Sequence, residues 1–216
     1  MALIFRTNIG TYTHIRCMCR LFRACLNDRY STDTQYNRTY AAALPGIAEL
    51  ASLLMPCRFP KRHRLVNEGE ARGLAYFIET GMTRSYWIVD GEEITTSFST
   101  EGTLVFSMDE VYYGKASEEC VETIEPALAY GIAVDNLRRI VTQRLDMAIW
   151  WSLIHEDEYR RLHQSHKERL TLDAAGRYRA FAIQQPEACR RARLTDIASY
   201  LGITLSTLSR IRAGRM

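Results

Sequence analysis

Nowhere in the 216 residues does an apolar run reach the roughly 20 residues that a membrane-spanning helix needs. A helical membrane-spanning protein is therefore excluded. Cysteine is sparse, six in all, and too scattered for a disulfide scaffold. No signal-peptide apolar segment precedes those cysteines, so a reducing, cytoplasmic setting is expected. Histidine is scarcer still: five in the chain and none between Arg64 and Asp135. No metal-ligand cluster, cofactor motif or catalytic constellation emerges, and the chain does not read as an enzyme.

What is present is an ordinary globular composition, 47% hydrophobic and 25% charged, with an uneven distribution of charge. The net charge of +3 conceals nine basic against fifteen acidic residues over 41–143, and eight basic against three acidic over 171–216. An acidic middle joined to a basic end suggests a sensing module coupled to a nucleic-acid-binding module.

The chain divides by pattern. Residues 1–43, rich in Arg, Thr and Tyr, have neither helical nor strand period and read as a poorly ordered extension or as sequence upstream of the true start. Residues 44–143 open with a short helix, Ile47–Leu54, and then change to period two. Strands are expected at Leu74–Glu79, Thr83–Val89, Glu92–Phe98, Cys120–Ile124 and Ala127–Val134. Asp90-Gly91 is the strongest hairpin signal. Short strands at this spacing predict an antiparallel jelly roll. Helix returns from about Asn136, or from Leu145 in its stricter part, and runs without Gly or Pro to about Arg169. Such a helix, assigned to residues 144–170, must bury its stripe against the barrel or against a second copy, which predicts a homodimer. Thr171 is expected to cap a further helix that Pro186 stops. The fold class is thus α+β: an antiparallel β jelly roll, a long dimerisation helix and a helical C-terminal domain over 171–216.

Residues 194–213 carry the functional pattern. Thr195 can cap one helix, Gly202 can supply a left-handed turn, and Thr204 can cap a second helix. Ile197, Leu201, Ile203, Leu208 and Ile211 form one apolar seam. Leu205, Ser206, Ser209, Arg210, Arg212 and Arg215 are left outward, with Thr207 beside them. This is helix-turn-helix spacing, which presents the second helix to a major groove. Arg210 is expected to read a base. Arg212, Arg215 and the preceding Arg190, Arg191 and Arg193 are expected to hold phosphates.

Several stretches resemble the Crp/Fnr family of bacterial transcription regulators: Leu65-Val66-Asn67-Glu68-Gly69-Glu70, Tyr76 to Met82, Asp90 to Thr96 and Asp196 to Thr204. Ser206 to Arg212 is especially similar to Bacteroidetes members. The resemblance covers about 44–216. It implies a cyclic-nucleotide-binding-type jelly roll, a dimer on a palindromic operator in double-stranded DNA, and RNA polymerase as a further partner. It also implies an effector site over Phe106, Asp109, Glu110, Lys115, Ser117 and Glu118. The family's Gly-Glu and Arg-Ser pairs are missing there. Five carboxylates (Asp109, Glu110, Glu118, Glu119, Glu122) face a single lysine, so cyclic AMP is not expected to bind. Any effector is an unidentified small molecule.

Cys17, Cys19 and Cys25, with Cys120, are similar to the ligands of iron–sulfur members. One residue separates the first pair where two are usual, so no cofactor is assigned. His163 and His166 share a helix face but lack a third ligand. The competing reading is a cupin-like small-molecule barrel with merely structural C-terminal helices.

Overall fold

A computed structural model of the chain describes residues 45–215. The extension at 1–43, with Cys17, Cys19 and Cys25, lies outside the described residues. Helix α1 (Pro45–Ser52) leads into β1 (Met55–Phe59), β2 (Arg64–Val66), β3 (Leu74–Thr80), β4 (Thr83–Val89), β5 (Glu92–Ser99) and β6 (Leu104–Val105). A π-helical turn, Asp109–Tyr113, precedes β7 (Cys120–Thr123) and β8 (Ala127–Ala133). The helical part comprises α2 (Val134–Gln143), α3 (Leu145–Thr171), α4 (Ala174–Gln184), α5 (Pro186–Arg191), α6 (Leu194–Leu201) and α7 (Leu205–Arg212).

The strands form two antiparallel sheets, ordered β1-β8-β3-β6 and β2-β7-β4-β5. Period-two alternation explains how they pack. Tyr76 and Ile78 of β3 join Leu65, Val105, Val121 and Ala129 between the sheets. Ala75 and Phe77 face the other way, under α1, α2 and the start of α3, where they meet Leu50, Leu137, Ile140, Met147 and Trp150. The β4–β5 hairpin turns at Asp90 (φ 53°) and Gly91 (φ 83°), both left-handed as a type I′ turn demands. Gly81 closes the preceding turn at φ 99°, and a Cβ there would lie 2.8 Å from the Pro126 carbonyl oxygen and from Ala127. Glycine is therefore required at this position on both conformational and steric grounds.

One local expectation is corrected and two are sharpened. The long helix is broken at Arg144, whose backbone is extended (φ −127°, ψ 122°), so α2 and α3 are separate. Asp146 accepts the Gly46 N–H at 2.9 Å and the Arg144 guanidinium at 3.2 Å, tying α1 to the start of α3. At the end of α3, Thr171 does not cap the next helix. Its hydroxyl donates back to the Lys167 carbonyl at 2.8 Å, and Asp173 caps α4 by accepting the Gly176 N–H at 2.7 Å. Finally, Pro186 does more than stop α4. It occupies the first turn of α5, where its missing N–H would be unpaired in any case.

Candidate nucleic-acid interface

The pair α6–α7 is a helix-turn-helix built as its sequence dictates. Gly202 adopts φ 65°, and its N–H and that of Ile203 close onto the end of α6. Thr204 caps α7 by accepting the Thr207 N–H at 3.1 Å. Leu208 is fully buried against Ile197, Ala198, Leu201 and Phe181, while Ile203 sits at the edge of that cluster. Ile211 is only partly buried. Thr195 is not the cap of α6. Arg193 holds that position without a side-chain capping bond, and Thr195 lies inside the first turn, exposed. The threonine before the apolar run thus sits two residues past the N-cap.

Burying Leu208 turns the opposite face of α7 outward. Leu205, Ser206, Ser209, Arg210 and Arg212 are exposed, as is Arg215 beyond the helix, and Thr207 is half-buried beside its cap. A hydroxyl-bearing N-terminal half followed by arginines is a surface suited to base edges and then to phosphates.

The arginines before α6 are placed differently from one another. Arg190 is exposed and pairs with Glu187 of its own helix. Arg191, only 18% exposed, turns back to the β-roll and pairs with Glu101 at 2.8 Å and with Glu125. Those hydrogen bonds, Glu101 first and then Glu125, hold its guanidinium more firmly protonated than usual. In return, the bond from Arg191 lowers the Glu101 pKa. Arg193 grips both oxygens of Asp196, at 2.8 and 3.0 Å, and approaches Glu122 at 3.6 Å.

Asp196 is itself buried, and it also accepts from Arg84 of β4 at 3.1 Å. Arg84 further pairs with Glu122 at 2.8 Å and with Glu93. Ser199 completes the joint. Its hydroxyl donates to the Glu93 carbonyl at 3.0 Å and accepts the Thr95 N–H at 2.9 Å. Since β5 is an edge strand, α6 thereby satisfies backbone groups that an edge leaves open. Locally, Asp196 is only an acid in the first turn of α6, where a negative charge is favourable. Its partner across the joint, Arg84, stands 112 positions away, and no local spacing announces it.

The segment expected to hold an effector is tied to itself. The Asp109 carboxylate accepts the Glu118 N–H at 3.0 Å, and the Ser117 hydroxyl donates to the Glu119 carbonyl at 2.9 Å. Glu110 accepts the Gly73 N–H, and Arg138 donates to the carbonyls of Glu110 and Val111 at 2.6 and 2.7 Å. Phe106 packs on Tyr112 and Trp151, and burial pushes the Tyr112 hydroxyl up to about 12. Lys115 and Glu118 are exposed. An open recess of about 200 Å3 runs past Gly73, Glu110, Asp135 and Arg138, so the structure brings only Glu110 of the expected set to it. Among the described residues no group of three His, Cys, Asp or Glu side chains could hold a metal ion. No described helix is long and apolar enough to cross a membrane.

No protein-family model and no curated protein sequence matches the chain. Solved structures do. FixK2 of Bradyrhizobium japonicum superposes with a TM-score of 0.65 at 20% identity, over 74% of this chain and 83% of that one. The c-di-GMP-responsive global regulator CLP of Xanthomonas campestris gives 0.62 at 17% identity, over 78% and 89%. A protein from Eubacterium rectale described as a transcriptional regulator of the Crp/Fnr family gives 0.63 at 15% identity, over 78% and 81%. The fold is that of Crp/Fnr regulators: a cyclic-nucleotide-binding-type β-roll, a long helix and a C-terminal helix-turn-helix.

Proposed function

We propose that this chain is a dimeric, sequence-specific DNA-binding transcription regulator, whose β-roll does not take cyclic AMP. One observation carries the reading. Around a left-handed Gly202, α7 buries Leu208 and leaves Ser206, Ser209, Arg210 and Arg212 exposed. A recognition helix needs that division, whereas a merely structural hairpin has no use for a helix that ends in exposed arginines. The fold shared with CLP and the Eubacterium rectale regulator supports the same reading.

Helix α3 supports the dimer. Its buried residues Met147 and Trp150 face the β-roll, while Leu145, Ile149, Tyr159, Leu162 and Leu170 stay exposed. Leu145, Ile149, Ser152, Glu156, Tyr159, His163, His166 and Leu170 follow alternating steps of four and three, the period of a two-stranded coiled coil. A second copy of α3 covers that seam and sets two α7 helices on successive major grooves, roughly 34 Å apart, of a palindromic operator. RNA polymerase is the further partner this activity implies, and the protein acts in the cytoplasm. Arg210 reads a base, and Arg190, Arg212 and Arg215 hold phosphates. Any effector of the β-roll is a small molecule other than a cyclic nucleotide, since no guanidinium faces the Asp109–Glu119 segment from within it.

Genome-wide occupancy followed by mobility shifts over a salt series tests the proposal. Binding to a recurrent palindrome with steep salt dependence is the expected result. Retention of no duplex at low salt would end it.

A further inference from the structure

We propose that the acidic rim of the β-roll stands in for DNA phosphates, holding the helix-turn-helix unit through Arg191 until a duplex competes for that guanidinium. The inference rests on the DNA-binding reading above and adds an autoinhibitory contact to it.

The geometry of Arg191 is that of a fully used fork. Nη1 donates to Glu101 at 3.0 Å, Nη2 donates to Glu101 at 2.8 Å and to Glu125, and Nε donates to Glu125 at 3.5 Å. Every nitrogen of the group is engaged by carboxylates of the β-roll. A phosphate would require the same bidentate fork, so one guanidinium cannot serve both. Glu101 is set in place by the β3–β4 turn, where its other role is to accept the Gly81 N–H at 2.9 Å. Arg190, one residue away, is 72% exposed and has no such partner on the β-roll. The same rim engages the helix-turn-helix a second time, where Glu122 and Glu93 hold Arg84 against Asp196 and Glu122 also approaches Arg193.

Arg191 precedes the first helix of the motif, the one that crosses the DNA backbone in this class of docking. Cations that would neutralise phosphates are thus neutralised internally. Binding must exchange carboxylate for phosphate, and affinity falls by the strength of the contact given up. The contact is partly sheltered, so salt screens it less than it screens the exposed arginines of α7.

The test is a cycle of E101Q/E125Q, R191A and the combined variant. Each is titrated by fluorescence anisotropy with a random-sequence duplex at about 0.1 M salt. Hydrogen exchange at β5 and α6 is followed in parallel without DNA. Both glutamates are partly exposed, so the glutamine variants retain the fold. The expected result is faster exchange at the joint and about tenfold tighter duplex binding by E101Q/E125Q, with the gain abolished when R191A is added. Unchanged or weaker binding overturns the proposal, as does a gain that survives R191A, which would reflect only lowered acidity near the duplex. Unchanged exchange overturns it without reference to DNA. If exchange rises and no variant binds any duplex, the DNA-binding reading fails, and Glu101 and Glu125 stand as a lock on the helical unit alone.

Discussion

Arg84 Nη1 lies 3.1 Å from Asp196 Oδ1, across the joint between the β-roll and the helix-turn-helix, with both side chains almost sealed from solvent at 2% and 3% exposure. The pair is part of a network, since Arg84 also meets Glu122 and Glu93 and Asp196 also meets Arg193. Each buried charge has more than one partner, which offsets the cost of taking it out of water.

Removing Arg84 therefore takes a cation from Asp196 and Glu122 at once and leaves them only the more exposed Arg193. Arg84→Met is expected to lower unfolding free energy by about 3–5 kcal/mol, because Asp196 and Glu122 lose their shared cation in a dry site. Urea denaturation followed by tryptophan fluorescence measures it. A loss below about 1 kcal/mol would mean that water enters the joint freely.

Two arginines of the helix-turn-helix should behave differently. Arg210→Ala should cost about 1–3 kcal/mol on operator DNA and relax preference at one base pair, with little change on scrambled DNA. Arg212→Ala should weaken both duplexes alike and reduce the salt slope by about one unit. Titrations of both DNAs at several salt concentrations separate the roles. Equal losses on both DNAs for Arg210→Ala would place that residue on the backbone.

Glu119 and Glu101 respond to pH with opposite sign. Burial raises the Glu119 carboxyl above the ordinary 4.5, so its contribution to stability is full below that pH and lost as pH rises through the raised value. Glu119→Gln keeps an acceptor for the Thr96 hydroxyl, now 2.5 Å away, and should stabilise the protein at neutral pH but not near pH 4. Glu101, lowered first by its bond from Arg191, contributes above 4.5, and that contribution is lost as pH falls through its depressed value. Protection of the joint amides, corrected for the intrinsic exchange rate, should accordingly fall only as pH drops below 4.5. Thermal melts of wild type and Glu119→Gln at the two pH values check the first sign.

Ile149 and Tyr159 are 54% and 69% exposed on one face of α3. Ile149→Glu combined with Tyr159→Glu should convert a sedimenting dimer to a monomer at tens of micromolar, with an unchanged circular dichroism spectrum. A wild-type chain that sediments as a monomer would remove the basis of two-fold operator reading.

Calorimetry with cyclic AMP and cyclic GMP should give no saturable heat. The Asp109–Glu119 segment engages its hydrogen-bonding groups with itself and with Gly73, Thr96 and Arg138, and no arginine lies within it to pair a phosphate.

Features fixed by short-range chemistry were legible in the sequence. Asp90-Gly91 dictated the hairpin, Thr204 and Gly202 dictated the boundaries of α7 and α6, and alternation located β3, β4 and β5 to within a residue or so. What escaped was set by tertiary contact. β1 and β2 lack clean alternation, and β6 is too short to show any period; each is held by a neighbouring strand instead. The break at Arg144 carries no Gly or Pro, so the sequence left Asn136 and Leu145 both open as starts; in the structure Asp146 accepts the Gly46 N–H of α1 just beyond it. The fate of Arg191 was equally hidden, because a run of arginines looks the same whether it faces solvent or carboxylates.

The hydroxyl of Ser199 covers the backbone of β5 at Glu93 and Thr95, and the same docking buries Met82 and shelters Phe98. Swinging the helical unit away would uncover an open strand edge beside a hairpin tip that already shows Trp87, Ile88 and Ile94 to water. Such an edge templates further strand pairing between molecules. The opened form is thus colloidally vulnerable, and prolonged opening without DNA or a partner to occupy it would lead toward aggregation.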